Sequence, residues 1–161
     1  MGAGKTTVLG EASDILAQRN IVHAAIDVDC LDLAYLPEAT CSDALMYENL
    51  RSICQNFTAA GVHRFLLARA IENAADLKLI RDIIPAANTI VCRLTASVET
   101  MSQRVDSREP GMWRARRVAR VRELNALLDR ARLEDFAVDN ESRSLTDVAK
   151  EILMKAGWIA R

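Results

Sequence analysis

Four short apolar runs, separated by amphipathic helical segments, constrain this chain more than any other feature. They are HAAIDV (His23 to Val28), RFLLA (Arg64 to Ala68), TIVCRL (Thr89 to Leu94) and FAVD (Phe136 to Asp139). Runs that are apolar at nearly every position suit strands covered on both faces, the pattern of a parallel sheet. The first helix is expected from Lys5 to about Arg19, with Val8, Leu9, Ala12, Ile15 and Leu16 recurring at helical spacing. Ser42 is placed to cap a second, whose Met46, Leu50, Ile53 and Phe57 form one stripe, with Gly61 beyond its end. Ala75 to Ile84 reads as helix up to Pro85, and Ser97 caps the helix after the third run. A long helix is expected from about Trp113 to Leu133. The last begins at a capping-box-like Ser144-Leu-Thr-Asp147 and closes at Gly157. The expected fold is α/β, a parallel sheet with helices on both faces.

With 161 residues, half of them hydrophobic, the chain is long enough for one domain with a real core. Its formal net charge of −1 gives no global argument for nucleic acid or an anionic membrane. No run approaches a membrane span, and the N-terminal residues lack the pattern of a signal peptide. Cys30, Cys41, Cys54 and Cys92 are scattered, with no zinc spacing, so they read as reduced thiols of a cytoplasmic protein.

The chain opens MGAGKTT. Gly2, Gly4, Lys5 and Thr6 match the second half of the phosphate-binding loop G-x-x-x-x-G-K-[ST]. Glycines let backbone amides converge on phosphate oxygens, and the helix that follows adds the positive end of its dipole. Gly2, Ala3, Gly4, Lys5, Thr6 and Thr7 are thus the expected phosphate cradle. Lys5 would reach the β- and γ-phosphates, and Thr6 would ligate Mg²⁺. The bland alternative is a Gly-rich terminus before an ordinary helix.

Polar residues gather where the strands end, at Asp27, Asp29, Arg69 and Asp139. Ligands of open α/β sheets bind at that edge. Asp27 and Asp29 are two apart, so strand alternation would aim both to one side. Arg69 either clamps an anionic acceptor or pairs with Glu72 or Asp76. From Arg104 to Arg132 lie nine arginines against four acids, a local excess of five positive charges in an otherwise acidic chain. Arg104 and Arg108 share one helical face. Val118, Val121, Leu124 and Leu128 give the following helix an apolar stripe, so its arginines read first as a solvated face, then as lid contacts, and last as a nucleic-acid surface.

These motifs, in order, resemble the P-loop kinases of the nucleoside-monophosphate-kinase-like group, close to shikimate, gluconate and adenylylsulfate kinases. The resemblance spans essentially the whole chain. It rests on GAGKTT, on IDVD (Ile26 to Asp29), on RLTAS…RVDSRE (Arg93 to Glu109) and on VDNESRSLTDVAKEIL (Val138 to Leu153). It implies a single three-layer P-loop NTPase domain over 1–161, with a lid at about 104–117 hinged at Glu109-Pro-Gly111. It implies transfer of the γ-phosphoryl group of ATP to a hydroxyl of a small metabolite, with Mg²⁺. Asp27 or Asp29 would bind the acceptor or hold the metal, and Arg104 and Arg108 would neutralise the transferring group. The loop from Asp139 to Ser144, with Asn140, would pack on adenine. In this group the strand leading into the P-loop is central, in the order 2-3-1-4-5. That strand and the first loop glycine would precede Met1, so Met1 is expected to be an internal methionine of a longer loop. A non-catalytic nucleotide-binding protein is the second expectation, and a nucleic-acid end kinase the third.

Overall fold

In the computed structural model, residues 1–32, 42–85, 87–108, 111 and 114–160 are described. The order is α1 (Lys5–Gln18), β1 (Ala24–Asp27), a 3-10 turn (Val28–Cys30), α2 (Ser42–Ala59), β2 (Phe65–Ala68) and α3 (Ala74–Ile83). It continues with β3 (Cys92–Thr95), α4 (Val98–Arg108), α5 (Arg114–Ala131), β4 (Phe136–Asp139) and α6 (Leu145–Lys155). Every helix and strand read from the four apolar runs and the helical stripes is present, with ends shifted by at most three residues.

The caps explain several boundaries. Asn73 accepts from the Asp76 amide and starts α3, and Ser144 accepts from the Asp147 amide and starts α6. The Ser97 hydroxyl accepts from the Thr100 amide at 3.2 Å, as its sequence position implies. The Ser42 cap lies outside the described side chains, as do Glu109, Pro110 and Trp113. The third strand begins later than the apolar run TIVCRL suggests, because its partner has only four residues to pair with it.

Strand pairing is parallel throughout. β1 pairs β2 from Ala24↔Phe65 to Asp27↔Ala68. β3 pairs β4 from Cys92↔Phe136 to Thr95↔Asp139. Among the described residues these form two separate two-stranded sheets; β2 and β3 do not hydrogen-bond to one another.

Pleating assigns each face its cover. Leu66, Cys92, Leu94, Phe136 and Val138 meet a core built from α1 and α6, around the fully buried Leu16 and Leu153. Ile26, Phe65 and Leu67 meet the opposite layer, where Met46, Leu50 and Cys54 of α2 pack with Ile80 and Ile83 of α3. A third cluster joins Met101 and Val105 of α4 to Val121 of α5. Phe57, expected in the stripe of α2, is instead 40% exposed. The buried stripe drifts to Met46, Tyr47, Leu50 and Cys54, so the last turn of α2 carries Phe57 off the core. Burying so many aliphatic side chains, at ~1.5–3 kcal/mol each, is the main source of stability.

The strands themselves are less covered than their sequences imply. All of β3, and β2 as far as Leu67, are only half-buried. Among the described residues, both strands have one edge without a hydrogen-bonded strand.

Candidate functional site

The carboxyl ends of all four strands converge on residues 1–5. α1 begins directly after Gly4, which takes a left-handed conformation (φ 89°), and no side chain caps the helix. Its first-turn amides therefore have neither an intrahelical nor a side-chain acceptor, and no acidic residue offsets the dipole there. Gly2 (φ 73°) is buried against the backbone of Met101, where any Cβ would strike the Met101 carbonyl. Glycine is required at both places on conformational grounds.

Two side chains from other elements hold this loop. Asn140, buried after β4, donates from Nδ2 to the Ala3 carbonyl at 2.7 Å. Its own backbone amide donates to the Thr95 carbonyl at 2.8 Å, which fixes it to the sheet. Arg104 donates to the Asn140 carbonyl at 2.9 Å and to the Gly2 carbonyl at 3.5 Å. The first loop and the loop after β4 are thus one hydrogen-bonded unit. Glu141 extends it by accepting from the Ser97 amide (2.9 Å), the Ser97 hydroxyl (2.7 Å) and the Thr100 hydroxyl (2.5 Å). Those bonds, Thr100's first, bring the Glu141 carboxyl down to about 2.

The polar groups meet beside the helix start. The Thr6 hydroxyl donates to Asp27 Oδ2 at 2.6 Å. Asp27 Oδ1 accepts from the Asp29 amide at 3.2 Å and so caps the 3-10 turn. This turn, rather than continued strand alternation, places Asp29. Its carboxylate lies 3.6 Å from Lys5 Nζ and 3.4 Å from Arg69 Nη1. Arg69 also reaches Asp43 on α2 at 3.5 Å, and its guanidinium lies 5.7 Å from the centre of the Tyr47 ring. Glu72, one of its expected partners, is instead bound by Arg120 at 2.8 Å.

Asp43 and Tyr47, four apart on α2, were not singled out as partners of Arg69. Their signal was the shared helical face, which sequence alone does not aim at Arg69. The Tyr47 hydroxyl and Arg69 Nε are buried without a hydrogen-bond partner among the described residues. Tyr47 and Arg69 act on one another electrostatically, and buried polar atoms in that state call for a partner such as a water, an ion or a ligand group.

Thr6 and Asp27 fit a magnesium site in chemical type. Both offer hard oxygen donors side by side, and Mg²⁺ takes few protein ligands, filling its shell with water and phosphate. No cluster of three or more His, Cys, Asp or Glu side chains that could hold a metal ion occurs among the described residues.

The predicted lid residues divide. Arg104 lies under the loop, whereas Arg108 is exposed, its Nε donating to the Arg104 carbonyl at 3.2 Å. Arg114 pairs with Asp106 across the two helices, and Arg120 with Glu72 and Glu123. Thr7 is exposed on the first turn of α1. No helix among the described residues is long and apolar enough to cross a membrane.

No protein-family model matches this chain, and no curated protein matches it by sequence. Solved structures do match. The shikimate kinase from Acinetobacter baumannii, in complex with shikimate, superposes with a TM-score of 0.61 at 18% identity. The match covers 100% of this chain and 91% of that one. Likeness at this identity speaks to architecture alone: the chain has an α/β fold of parallel strands and helices similar to that of this structure.

Proposed function

We propose that the protein is a phosphotransferase moving the γ-phosphoryl group of Mg-ATP to a hydroxyl of a small metabolite. The observation that carries this reading is the convergence of Lys5, Thr6, Asp27, Asp29 and Arg69 at an uncapped helix start.

In this reading the amides of Gly2 to Thr7 cradle the phosphates, and Lys5 leaves Asp29 to neutralise the β- and γ-oxygens. Thr6 and Asp27 hold Mg²⁺, which when bound supplies charge neutralisation on the phosphate oxygens. Asp27 or Asp29 orients the attacking hydroxyl and takes its proton as the new O–P bond forms and the β–γ bridge breaks. Arg69, supported by Tyr47 and Asp43, binds an anionic group on the acceptor. Arg104 fixes the loop from beneath, and Arg108 closes over the transferring group as part of a lid spanning 104–117. Asn140 fixes the loop that receives adenine. The work of the site is positioning and charge neutralisation, to which oriented groups contribute most. The setting is a single cytoplasmic domain.

Turnover of ATP across a panel of hydroxylated metabolites, with a Lys5→Met control, tests this. Acceptor-dependent ADP release that vanishes in the control supports it; release that survives the substitution refutes it.

A second reading is nucleotide binding without catalysis. The unpaired strand edges beside the loop favour it, since a loosely backed P-loop binds phosphate more readily than it orients a reaction. Tight Mg-ATP binding with no acceptor found would support it. A nucleic-acid acceptor has weaker grounds, because Arg114 and Arg120 are already engaged with acids of this chain.

A further inference from the structure

Toward the far end of α1, away from the phosphate loop, two polar side chains meet that phosphotransfer does not use. α1 ends where Asn20 takes a left-handed conformation (φ 55°) and the Ile21 amide donates to the Leu16 carbonyl at 3.0 Å. This cap reverses the chain. Ile21 packs back on the α1–α6 core, and His23 comes to lie beside Ser13. One residue later the Ala24 amide donates to the Arg64 carbonyl at 2.9 Å, so the histidine is held between a helix cap and a sheet. Ser13 lies eight residues along α1 from Lys5, about 12 Å of helix.

The two ring nitrogens of His23 have different partners. Nδ1 lies 2.8 Å from the Ile21 carbonyl oxygen, and Nε2 lies 2.8 Å from Ser13 Oγ. A carbonyl only accepts, so the single ring proton of a neutral imidazole belongs on Nδ1. Nε2 is then a bare acceptor, and the Ser13 hydroxyl donates to it. A hydroxyl within a helix more commonly donates to the carbonyl four residues back. Ser52 and Thr58 of α2 do so, to Glu48 at 3.0 Å and Cys54 at 2.8 Å. A nucleophile, a base in hydrogen-bond reach, and a third group orienting that base form the arrangement that activates a serine. Both residues are half-buried, which leaves a small reagent a way in.

We propose that Ser13 is a nucleophile with His23 as its base, and that it takes an acyl group from an activated ester or thioester. Oγ bonds to the donor's carbonyl carbon while its proton passes to Nε2. The donor's C–O or C–S bond then breaks, and the departing oxygen or sulfur takes the bonding pair and that proton. An acyl donor fits better than a phosphoryl donor, because phosphoryl transfer relies on cations to neutralise the phosphate oxygens. Among the described residues, the hydrogen-bond partners of Ser13 and His23 include no Lys or Arg side chain, and no metal-ligating cluster occurs. The product is an ester on Ser13, whose oxygen can no longer donate to His23.

The test treats the full 161-residue chain with p-nitrophenyl acetate and locates acetyl groups by peptide mass mapping. Ser52, an exposed helical serine bonded to its own backbone, is the internal reference. Ser13 should be acetylated faster than Ser52 by about tenfold or more, although it is the less exposed of the two. That excess should be lost in His23→Gln, which keeps a hydrogen-bond acceptor and removes the base. It should also be lost for the wild-type chain in urea, where the pair is apart, so the comparison holds even if the variant does not fold. Equal rates at Ser13 and Ser52 in the native chain overturn the proposal, as does an excess that survives in urea or in folded His23→Gln. No nucleotide enters the measurement, so its outcome is independent of the phosphotransfer reading.

Discussion

The side-chain amide of Asn140 donates a 2.7 Å hydrogen bond to the carbonyl of Ala3, joining residues 137 positions apart. The first loop is therefore held by the turn after the last strand, and its shape depends on that turn being intact. Asn140→Ala leaves the Ala3 carbonyl unmatched, at a cost of about 1–2 kcal/mol. In a chain of this length that lowers the thermal midpoint by roughly 2–8 °C. Asn140→Asp is expected to be at least as damaging, since an ionised carboxylate has no proton to offer. Calorimetry on both variants checks this; an unchanged midpoint in Asn140→Ala would mean the loop is held by Arg104 alone.

Gly2 and Gly10 should respond to alanine in opposite directions. At Gly2 the backbone is left-handed, and a Cβ meets the backbone of Met101, which has no flexible end to yield. We expect Gly2→Ala to cost on the order of 1–3 kcal/mol. Gly10 lies within α1 with nothing near its missing Cβ. There alanine should stabilise by about 0.5–1 kcal/mol. Denaturant titration of the two variants side by side measures both signs.

Mg-ATP should raise the unfolding midpoint of the 161-residue chain, as any ligand of the native state does. Lys5→Ala should abolish that rise while leaving the ligand-free midpoint nearly unchanged, because the Lys5–Asp29 pair is partly exposed and contributes little. Thr6→Val should spare nucleotide binding but raise the Mg²⁺ requirement on the order of tenfold. A nucleotide-dependent rise that persists in Lys5→Ala would remove the phosphate cradle from the proposed function.

How much of this was legible in the residues depends on how far each signal reaches. Helical stripes and apolar runs are local, and α1, α3 and α6 stand within a residue or two of where Val8–Leu16, Ala75–Ile84 and Ser144–Leu153 put them. GAGKTT is equally local and names its own geometry. By contrast, Arg104 grips two backbone carbonyls, and Gly2 is pressed on a third. Carbonyls are common to every residue type, so no sequence pattern announces those contacts. Asp29 is near Lys5 and Arg69 because Asp27 turns the chain into a 3-10 step. Read as a continuing strand, the same two residues give the right neighbourhood by the wrong path. The partners of Arg69, Asp43 and Tyr47, come from a helix whose rotation depends on which apolar stripe wins the core.

Acid should loosen the loop unit through Glu141. Its carboxyl falls from 4.5 to about 2 because Thr100, then Ser97, donate to the ionised form. A depressed acid stabilises the native state above its unfolded value and loses that contribution as pH falls through the folded one. Stability should therefore decline from about pH 4.5 toward pH 2, and Glu141→Gln should flatten that part of the profile. Thermal midpoints of both proteins across this window decide it; parallel profiles would assign the acid sensitivity to other carboxylates.

The contact between α1 and α6 has a kinetic consequence. β1–α2–β2 and β3–α4–α5–β4 each close over roughly 45 residues, whereas α1 meets α6 across some 135. Chain-closure entropy grows with that separation, so the two short circuits can form early while the long one waits. The order runs backwards on unfolding. Once α1 lifts from α6, the halves lose the helix that spans them, and the glycine loop at its head loses its backing at the same moment. The shape of that loop and cohesion between the halves thus share one late step, and a ligand that slows the departure of α1 would lengthen the lifetime of the entire molecule.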